Sequence, residues 1–345
     1  MTSKERVYAM LRGESTDRAP RYIWVSSIIA KNLCEYYGIS SEELDARIGN
    51  DILQTWVSIN REMARECPEG EQFTDEWGNV WERQGYYNAV VRHAMSGLDA
   101  EQIRNYPVPD VLDPKRFEIF DRLKEKYGET YFIGADVSGT IFEPAYHLRG
   151  MEELLMDMVS GEEEADVLLD KVTNQSKAIA LEAVRRGADW IWLGDDLGTQ
   201  NDMIMSPDLW REYFKPRMKD IIDAIRAEKP DMFIAYHSCG SIWRVLPDLI
   251  EIGIDVINPL QESAQGMNHE QIRELFGDKT TMFCGLDTQT FMVNATVDEI
   301  RTATKSMLKR LNANGKFLCG VSHTLQPDVP VENIVAMIET LDYKY

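Results

Sequence analysis

Short, nearly continuous apolar runs recur along the chain from about residue 130 onward, and amphipathic stretches separate them. Each run has the length of a buried strand, whereas residues 161–187 and similar stretches carry apolar residues at helical spacing and end at a glycine. Buried strands that alternate with helices indicate a parallel sheet covered by helices. The six runs are Tyr131–Val137, Trp190–Asp195, Met232–His237, Ile254–Asn258, Thr281–Asp287 and Lys316–Ser322.

Two earlier runs, Arg21–Val25 and Asp51–Val57, bring the number of predicted strands to eight. Eight parallel strands with intervening helices predict an α/β fold, the closed (β/α)8 TIM barrel. A chain of 345 residues has the usual length for one such barrel. We therefore expect residues 1–345 to form a single domain.

One segment, residues 73–88, breaks this alternation. Trp77-Gly78-Asn79 followed by alternating residues predicts a β-hairpin excursion. Two arrangements of its aromatic side chains fit the sequence equally well, because they either cover the barrel mouth or pack against the outer helices. The aromatic residues concerned are Trp77, Trp81, Tyr86 and Tyr87.

Composition restricts the classes of partner. The chain has 58 acidic and 37 basic residues, a net charge of −21, which repels phosphate backbones and argues against a nucleic-acid partner. No apolar run is long enough for a transmembrane helix, and the N-terminus has no apolar signal core, so we expect a cytoplasmic protein without a membrane partner. The five cysteines are odd in number and widely spaced, which argues against a disulfide framework.

Candidate chemistry lies at the carboxyl ends of the predicted strands, where TIM-barrel enzymes carry their active sites. The predicted fourth strand ends in Asp195 and Asp196, and the fifth ends in His237-Ser238-Cys239. In an extended strand, residues i and i+2 face the same side, so His237 and Cys239 point one nitrogen and one sulfur at a common point. An imidazole with a thiolate is a favoured pair of zinc ligands.

His323, after the eighth strand, is the expected third ligand, because that strand ends on the same rim. Three protein ligands leave the fourth position open for water or substrate, as in a catalytic zinc site. Cys319 is the rival, but it precedes His323 by roughly 13 Å of extended strand and lies deeper in the barrel wall. The two residues cannot serve the same ion.

Five segments that together span nearly the whole chain carry recognisable motifs. Three of them are KERVYAMLRGESTDRAP (residues 4–20), the loop from Phe142 to Gly150, and VPVENIVAMI (residues 329–338). The most specific are residues 194–216 and 237–261. In these motifs the chain resembles the uroporphyrinogen decarboxylase superfamily, in particular its branch of cobalamin-dependent methyltransferases.

The resemblance implies a zinc-dependent methyltransferase that moves a methyl group between a small methyl donor, such as an aryl methyl ether or methanol, and a corrinoid on a partner protein. In that branch a His-x-Cys pair and a second cysteine bind zinc. His323 occupies the place of the second cysteine, a departure that makes the ligand set richer in nitrogen.

The remaining candidates would handle substrate and protons. Asp195 and Asp196 are candidate catalytic residues that orient a ligand or carry a proton, with helix capping as the alternative. At most one of them faces the pocket if the strand is regular. The candidate substrate contacts are Glu143, Tyr146, His147, Trp192 and Gln261; Trp192, with Trp190, favours a methoxylated aromatic donor.

Two alternatives remain open. A uroporphyrinogen decarboxylase uses an arginine-rich N-terminal loop to bind substrate carboxylates, whereas the corresponding segment here offers only Arg21 and Lys31. A barrel that binds a small molecule or a corrinoid protein without turnover is the second alternative. Zinc without methyl transfer would indicate that binding protein.

Overall fold

The computed structural model describes residues 1–58, 67–85, 87–312 and 315–342. Seven parallel strands form one sheet, in the same order in space as along the chain. They are β1 (Ile52–Trp56), β5 (Phe132–Asp136), β6 (Trp190–Gly194), β7 (Phe233–His237), β8 (Val256–Asn258), β9 (Thr281–Leu286) and β10 (Phe317–Val321). Each lies within one of the apolar runs, which confirms the predicted α/β TIM-barrel class.

The eighth position of the barrel is occupied by residues 21–25, which do not form a regular strand. Arg21 and Val25 make isolated parallel bridges to Cys319 and Leu325, beside β10. On the other side, Ile23 hydrogen-bonds through both its N–H and its carbonyl to the side chain of Asn50. The predicted position is therefore confirmed. The prediction of a regular strand is wrong, because toward β1 the Asp51 N–H donates to the Arg21 carbonyl, but Ile23 then pairs with a side chain instead of a strand backbone.

Helices cover the outside of this sheet. Helix α8 is the longest of those described, and its buried side chains recur at helical spacing along one face. The helices are α1 (Ser3–Leu11), α2 (Ser27–Tyr37), α3 (Leu44–Ile48), α4 (Ala100–Asn105), α5 (Glu118–Tyr127), α6 (Phe142–Arg149), α7 (Met151–Ser160), α8 (Glu163–Arg185), α9 (Pro207–Tyr213), α10 (Lys215–Glu228), α11 (Leu246–Glu251), α12 (His269–Phe276), α13 (Phe291–Asn294), α14 (Val297–Leu311) and α15 (Val331–Leu341), with short 3-10 turns at Ser41–Glu43 and Pro114–Arg116.

Alternate residues of the strands build two cores. Trp190 and Trp192 point into the barrel, whereas Ile191 and Leu193 pack outward against the helices. Val7 and Met10 of α1 join the inner core. The amino-terminal end of the barrel is thus closed by α1, and the carboxyl ends of the strands are left to form the mouth.

The excursion is larger than the predicted hairpin. It forms a three-stranded antiparallel sheet of β2 (Gln72–Thr74), β3 (Val80–Gln84) and β4 (Tyr87–Arg92). The predicted turn lies between β2 and β3, where Asp75 accepts the N–H groups of Trp77 and Asn79. Gly78 has a φ of 90°, which favours glycine.

None of the helices in the described ranges combines the length and the apolar character that a membrane span needs.

Candidate metal site

Two strand ends bring together the three residues that were predicted to bind a metal. One ligand atom each from His237, Cys239 and His323 lies within 4.8 Å of the other two. The Cys239 sulfur is 3.5 Å from Nε2 of His237, and the two imidazole centroids are 5.8 Å apart. His237 ends β7, Cys239 follows two residues later, and His323 follows β10.

Asn258 fixes the orientation of the His237 ring. Its side-chain oxygen lies 2.7 Å from Nδ1 of His237, and the two residues are register partners in β8 and β7. Because an amide oxygen only accepts hydrogen bonds, Nδ1 carries the proton and Nε2 presents its lone pair to the cluster. This is the usual arrangement around a metal-binding histidine.

The backbone around Cys239 is held by close packing of two loops. The N–H of Cys239 donates to Oδ1 of Asp196 at 2.9 Å. Gly240 has a φ of 76°, and a Cβ there would lie 2.5 Å from the backbone of Gly198. Glycine at both positions therefore lets the loops after β6 and β7 meet directly.

Electrostatics determine the protonation of the cluster without metal. Burial, and secondly the neighbouring Asp196 carboxylate, raise the pKa of the Cys239 thiol. Desolvation and the adjacent His237 ring lower the pKa of His323 to about 4, although His323 is the most exposed of the three residues. At neutral pH the site therefore contains a neutral His323 and a thiol that a metal ion would deprotonate.

The donor set and its spacing fit a zinc ion. Bonds of about 2.3 Å to sulfur and 2.0–2.1 Å to nitrogen, at a tetrahedral angle, require a sulfur–nitrogen separation of about 3.6 Å. The observed 3.5 Å between Cys239 and His237 agrees with that value. Cys319 does not join the cluster, because it is fully buried in the wall of the barrel beside residue 21.

A small cavity of about 290 Å³ lies on one side of His237. The excursion contributes Trp77 and Trp81 to its lining, so these side chains cover part of the mouth. Trp56, His147 and Glu143 are among the other lining residues, as is Asp196. Tyr87 is 66% exposed, and Tyr86 lies outside the described residues.

A larger cavity of about 720 Å³ lies on the other side of His237, along the seam between residues 21–25 and β1. His323 lines it, together with Trp24 and Trp192. The Trp24 and Trp192 rings meet edge to face at 5.2 Å, and both approach the His237 ring. His237, Trp56 and Ser138 line both cavities, so the two cavities adjoin at the candidate metal site.

Asp195 and Asp196 point in opposite directions. Asp196 lines the small cavity, and its Oδ1 lies 3.5 Å from Nε2 of His237. Asp195 is buried and accepts the N–H groups of Ile141 and Glu143, which begin α6. Burial raises the pKa of Asp195 to about 7, although these hydrogen bonds act to lower it. Asp195 therefore caps a helix that precedes it in the chain, and Asp196 is the one of the pair that reaches the site.

Of the five predicted substrate contacts, three line a cavity and two do not. Glu143 and His147 line the small cavity, and Trp192 lines the large one. Gln261 is buried and binds protein groups, since it accepts the N–H of Gly240 and donates to Gln200, Ser263 and Gln289. Tyr146 packs edge to face against His147 and Phe142, and it lines neither cavity. Tyr146 and Gln261 thus lie behind the site.

Several residues of the site were not predicted from the sequence, among them Asp136, Asn258 and Trp24. Asp136 lines the large cavity, and burial raises its pKa to about 6. It ends an otherwise apolar strand, a signal that was present in the sequence. Asn258 also ends a strand, whereas Trp24 lies in the irregular eighth position and gave no such signal.

Comparison with known families gives one match over most of the chain. Residues 87–343 match the profile of the family described as Uroporphyrinogen decarboxylase (URO-D). The matched region contains all three residues of the candidate metal site.

Comparisons with individual proteins give more distant similarities. A uroporphyrinogen decarboxylase of Pelodictyon phaeoclathratiforme is 26% identical over 180 residues, 51% of this chain and 48% of that protein. One of Legionella pneumophila (strain Lens) is 23% identical over 194 residues, 56% of this chain and 52% of that protein. The chain thus spans about half the length of these curated relatives. A methyltransferase from Methanosarcina mazei shares the fold, with a TM-score of 0.73 and 20% identity over 99% of this chain and 98% of that one.

Proposed function

We propose that this chain, which belongs to the uroporphyrinogen decarboxylase family, is a zinc-dependent methyltransferase that transfers a methyl group between a small methyl donor and a corrinoid. The donor is an aryl methyl ether, methanol or a similar compound, and the corrinoid is carried by a partner protein. The proposal rests chiefly on the cluster of His237, Cys239 and His323 at the barrel mouth. The methyltransferase with the same fold is in keeping with it.

Each residue of the cluster has a defined task in this proposal. His237, Cys239 and His323 would hold the metal. A zinc ion held there would supply Lewis acidity for the departure of an alkoxide or phenolate. Asn258 holds the His237 ring, and Asp196 is placed to orient a ligand or to carry the proton that the leaving oxygen gains.

The two cavities suit a reaction of two substrates. They adjoin at His237, so a molecule in either one can approach the same metal ion. Both are concave and lined by aromatic side chains with a few polar groups, as ligand sites usually are.

Decarboxylation of a porphyrinogen is the second candidate, favoured by the names of the curated relatives. Its substrate has many carboxylates, which need cationic partners. Among the described residues, neither cavity is lined by a lysine or an arginine. The discriminating assay is release of carbon dioxide from uroporphyrinogen without added metal, and we expect no release.

The proposal is tested by incubating the zinc-loaded protein with cob(I)alamin and a set of methoxylated aromatics and simple methyl donors. We expect donor-dependent loss of the cob(I)alamin absorbance, which a chelator abolishes and added zinc restores. Stoichiometric zinc without methyl transfer from any donor would favour a non-catalytic binding barrel. Activity that is unchanged after chelation would contradict the zinc mechanism.

A further inference from the structure

Strand β7 ends at His237, so the position of the Cys239 sulfur does not follow from strand geometry alone. Side chains accept the hydrogen bonds of the backbone beyond this strand end. The Cys239 N–H donates to Oδ1 of Asp196 at 2.9 Å, and the Gly240 N–H donates to Oε1 of Gln261 at 3.0 Å. Two side chains therefore hold the backbone that carries the sulfur.

The peptide between Cys239 and Gly240 is held from two opposite sides. A Cβ at Gly198 would lie 2.7 Å from the Cys239 carbonyl oxygen, so Gly198 packs closely against that end of the peptide. In a trans peptide the N–H points the opposite way from the carbonyl, and here the N–H meets Gln261. Gly198 thus limits the peptide by contact, and Gln261 fixes it by a directional hydrogen bond.

The network around Gln261 allows one orientation of its amide. Its Nε2 donates to the side-chain oxygens of Gln200 and Gln289, at 3.1 and 3.2 Å. Gln200 presents its oxygen because its own Nε2 donates to the Ser263 carbonyl at 2.7 Å. A backbone N–H such as that of Gly240 only donates, so the atom that faces it must be the Gln261 oxygen. A reversed amide would place donor against donor.

Filling space at the barrel rim does not by itself require an amide at Gln261. The side chain is buried among the loops that follow β6, β7, β8 and β9. An apolar side chain of similar size would occupy the same volume but would leave the buried Gly240 N–H without this acceptor. The polar group therefore serves the peptide that adjoins Cys239.

We propose that Gln261 is a positioning residue of the metal site. By accepting the Gly240 N–H, it holds the Cys239 sulfur toward Nε2 of His237, 3.5 Å away. This role rests on the proposed function, because it concerns the metal site of that function. Gln261 acts through Cys239 and does not itself bind the metal.

The test compares the full native chain with Gln261→Met, which keeps a side chain of similar length and removes the amide. Competition with a chromophoric chelator measures zinc affinity, and we expect Gln261→Met to bind zinc about 10- to 100-fold more weakly. Titration of the metal-free chain with cobalt(II) reports the bond to Cys239 through its sulfur-to-cobalt charge-transfer absorption. We expect that absorption to weaken or shift, an effect that loss of packing elsewhere in the rim does not produce.

The matched control is Gln289→Met, the same chemical change at a partner of the Gln261 Nε2 that leaves the bond to Gly240 in place. We expect its zinc affinity and its cobalt spectrum to equal those of the native chain. Gln261→Asn, which shortens the side chain by one methylene and withdraws the oxygen from Gly240, replaces Gln261→Met if thermal melting shows that the latter is unfolded.

Native zinc affinity with a native cobalt spectrum in a folded Gln261 variant would overturn the positioning role. An equal loss in Gln289→Met would also overturn it, because the effect would then come from the packing of the rim.

Failure of this role is distinguishable from failure of the proposed function. A native chain that binds neither zinc nor cobalt(II) would contradict both. Metal binding that is equal in the native chain and the Gln261 variant would contradict the positioning role alone. Weaker binding in the variant, in a native chain that transfers no methyl group from any donor, would support the positioning role and contradict the methyltransferase.

Discussion

Oδ1 of Asn258 lies 2.7 Å from Nδ1 of His237, on the neighbouring strand of the barrel. The contact fixes both the tautomer and the rotation of the imidazole before any metal binds. Nε2 of His237 consequently faces the Cys239 sulfur at 3.5 Å. The geometry of the proposed metal site thus depends on a residue that does not itself bind the metal.

Replacing Asn258 by alanine should weaken zinc binding by about 10- to 100-fold, because the His237 ring loses its acceptor. Asn258→Asp keeps an acceptor in the same place and should retain most of the affinity. Competition with a chromophoric chelator measures both. Equal affinity of Asn258→Ala and the native chain would show that the hydrogen bond does not organise the site.

Zinc binding should release about one proton per ion at pH 8, because a coordinating thiol loses its proton to bind the metal. The proton comes from Cys239, because burial raises the pKa of its thiol. The affinity should therefore rise with pH. Titration calorimetry in buffers of different ionisation enthalpy counts the protons. Release from the Cys239→Ala variant, at any residual affinity, would identify another source.

The eight apolar runs were sufficient to predict the barrel, because buried parallel strands are apolar on both faces. The cluster of His237, Cys239 and His323 followed from placing strand ends on one rim. The sequence could not predict that Asp195 caps α6, since the contact joins residues 54 positions apart. The contact between the Asn50 side chain and the backbone of Ile23, beside the larger cavity, could not be predicted either. It joins residues 27 positions apart, and no local sequence pattern encodes it.

Asp136 should make the stability of the metal-free protein depend on pH. Burial raises its pKa to about 6 in the folded state, above the ordinary value near 3.9. The folded state therefore binds the proton more tightly, and the free energy of unfolding falls as pH rises from 4 through 6, by at most about 3 kcal/mol from this group. In urea unfolding at pH 4 to 7, this fall should be smaller in Asp136→Asn by up to that amount, whereas the contributions of Asp195 and Glu143, whose pKa values burial also raises, remain in both proteins. Parallel curves for the two proteins would refute the assignment.

A buried ion network at the amino-terminal end of the barrel should contribute strongly to the free energy of unfolding. Asp51 is fully buried and accepts hydrogen bonds from Arg6, Arg18 and the N–H of Arg21. Asp51→Ala removes one of the two carboxylate partners of the buried Arg6, which keeps Asp17, and should lower the free energy of unfolding by about 3 kcal/mol.

The matched control is Lys219→Ala, which removes an exposed ion pair with Asp223 on α10 and should cost less than about 1 kcal/mol. Chemical denaturation measures both variants. A loss for Asp51→Ala no larger than that of this control would mean that the network does not stabilise the barrel.

We propose that three side chains at two strand ends bind one zinc ion and leave one position open. Zinc X-ray absorption spectroscopy of the purified protein, with metal analysis, tests it most directly. We expect about one zinc per chain, with one sulfur at about 2.3 Å and three nitrogen or oxygen neighbours at about 2.0–2.1 Å, and loss of the metal in Cys239→Ala. A protein without zinc, or a zinc whose neighbours include no sulfur, would contradict the account.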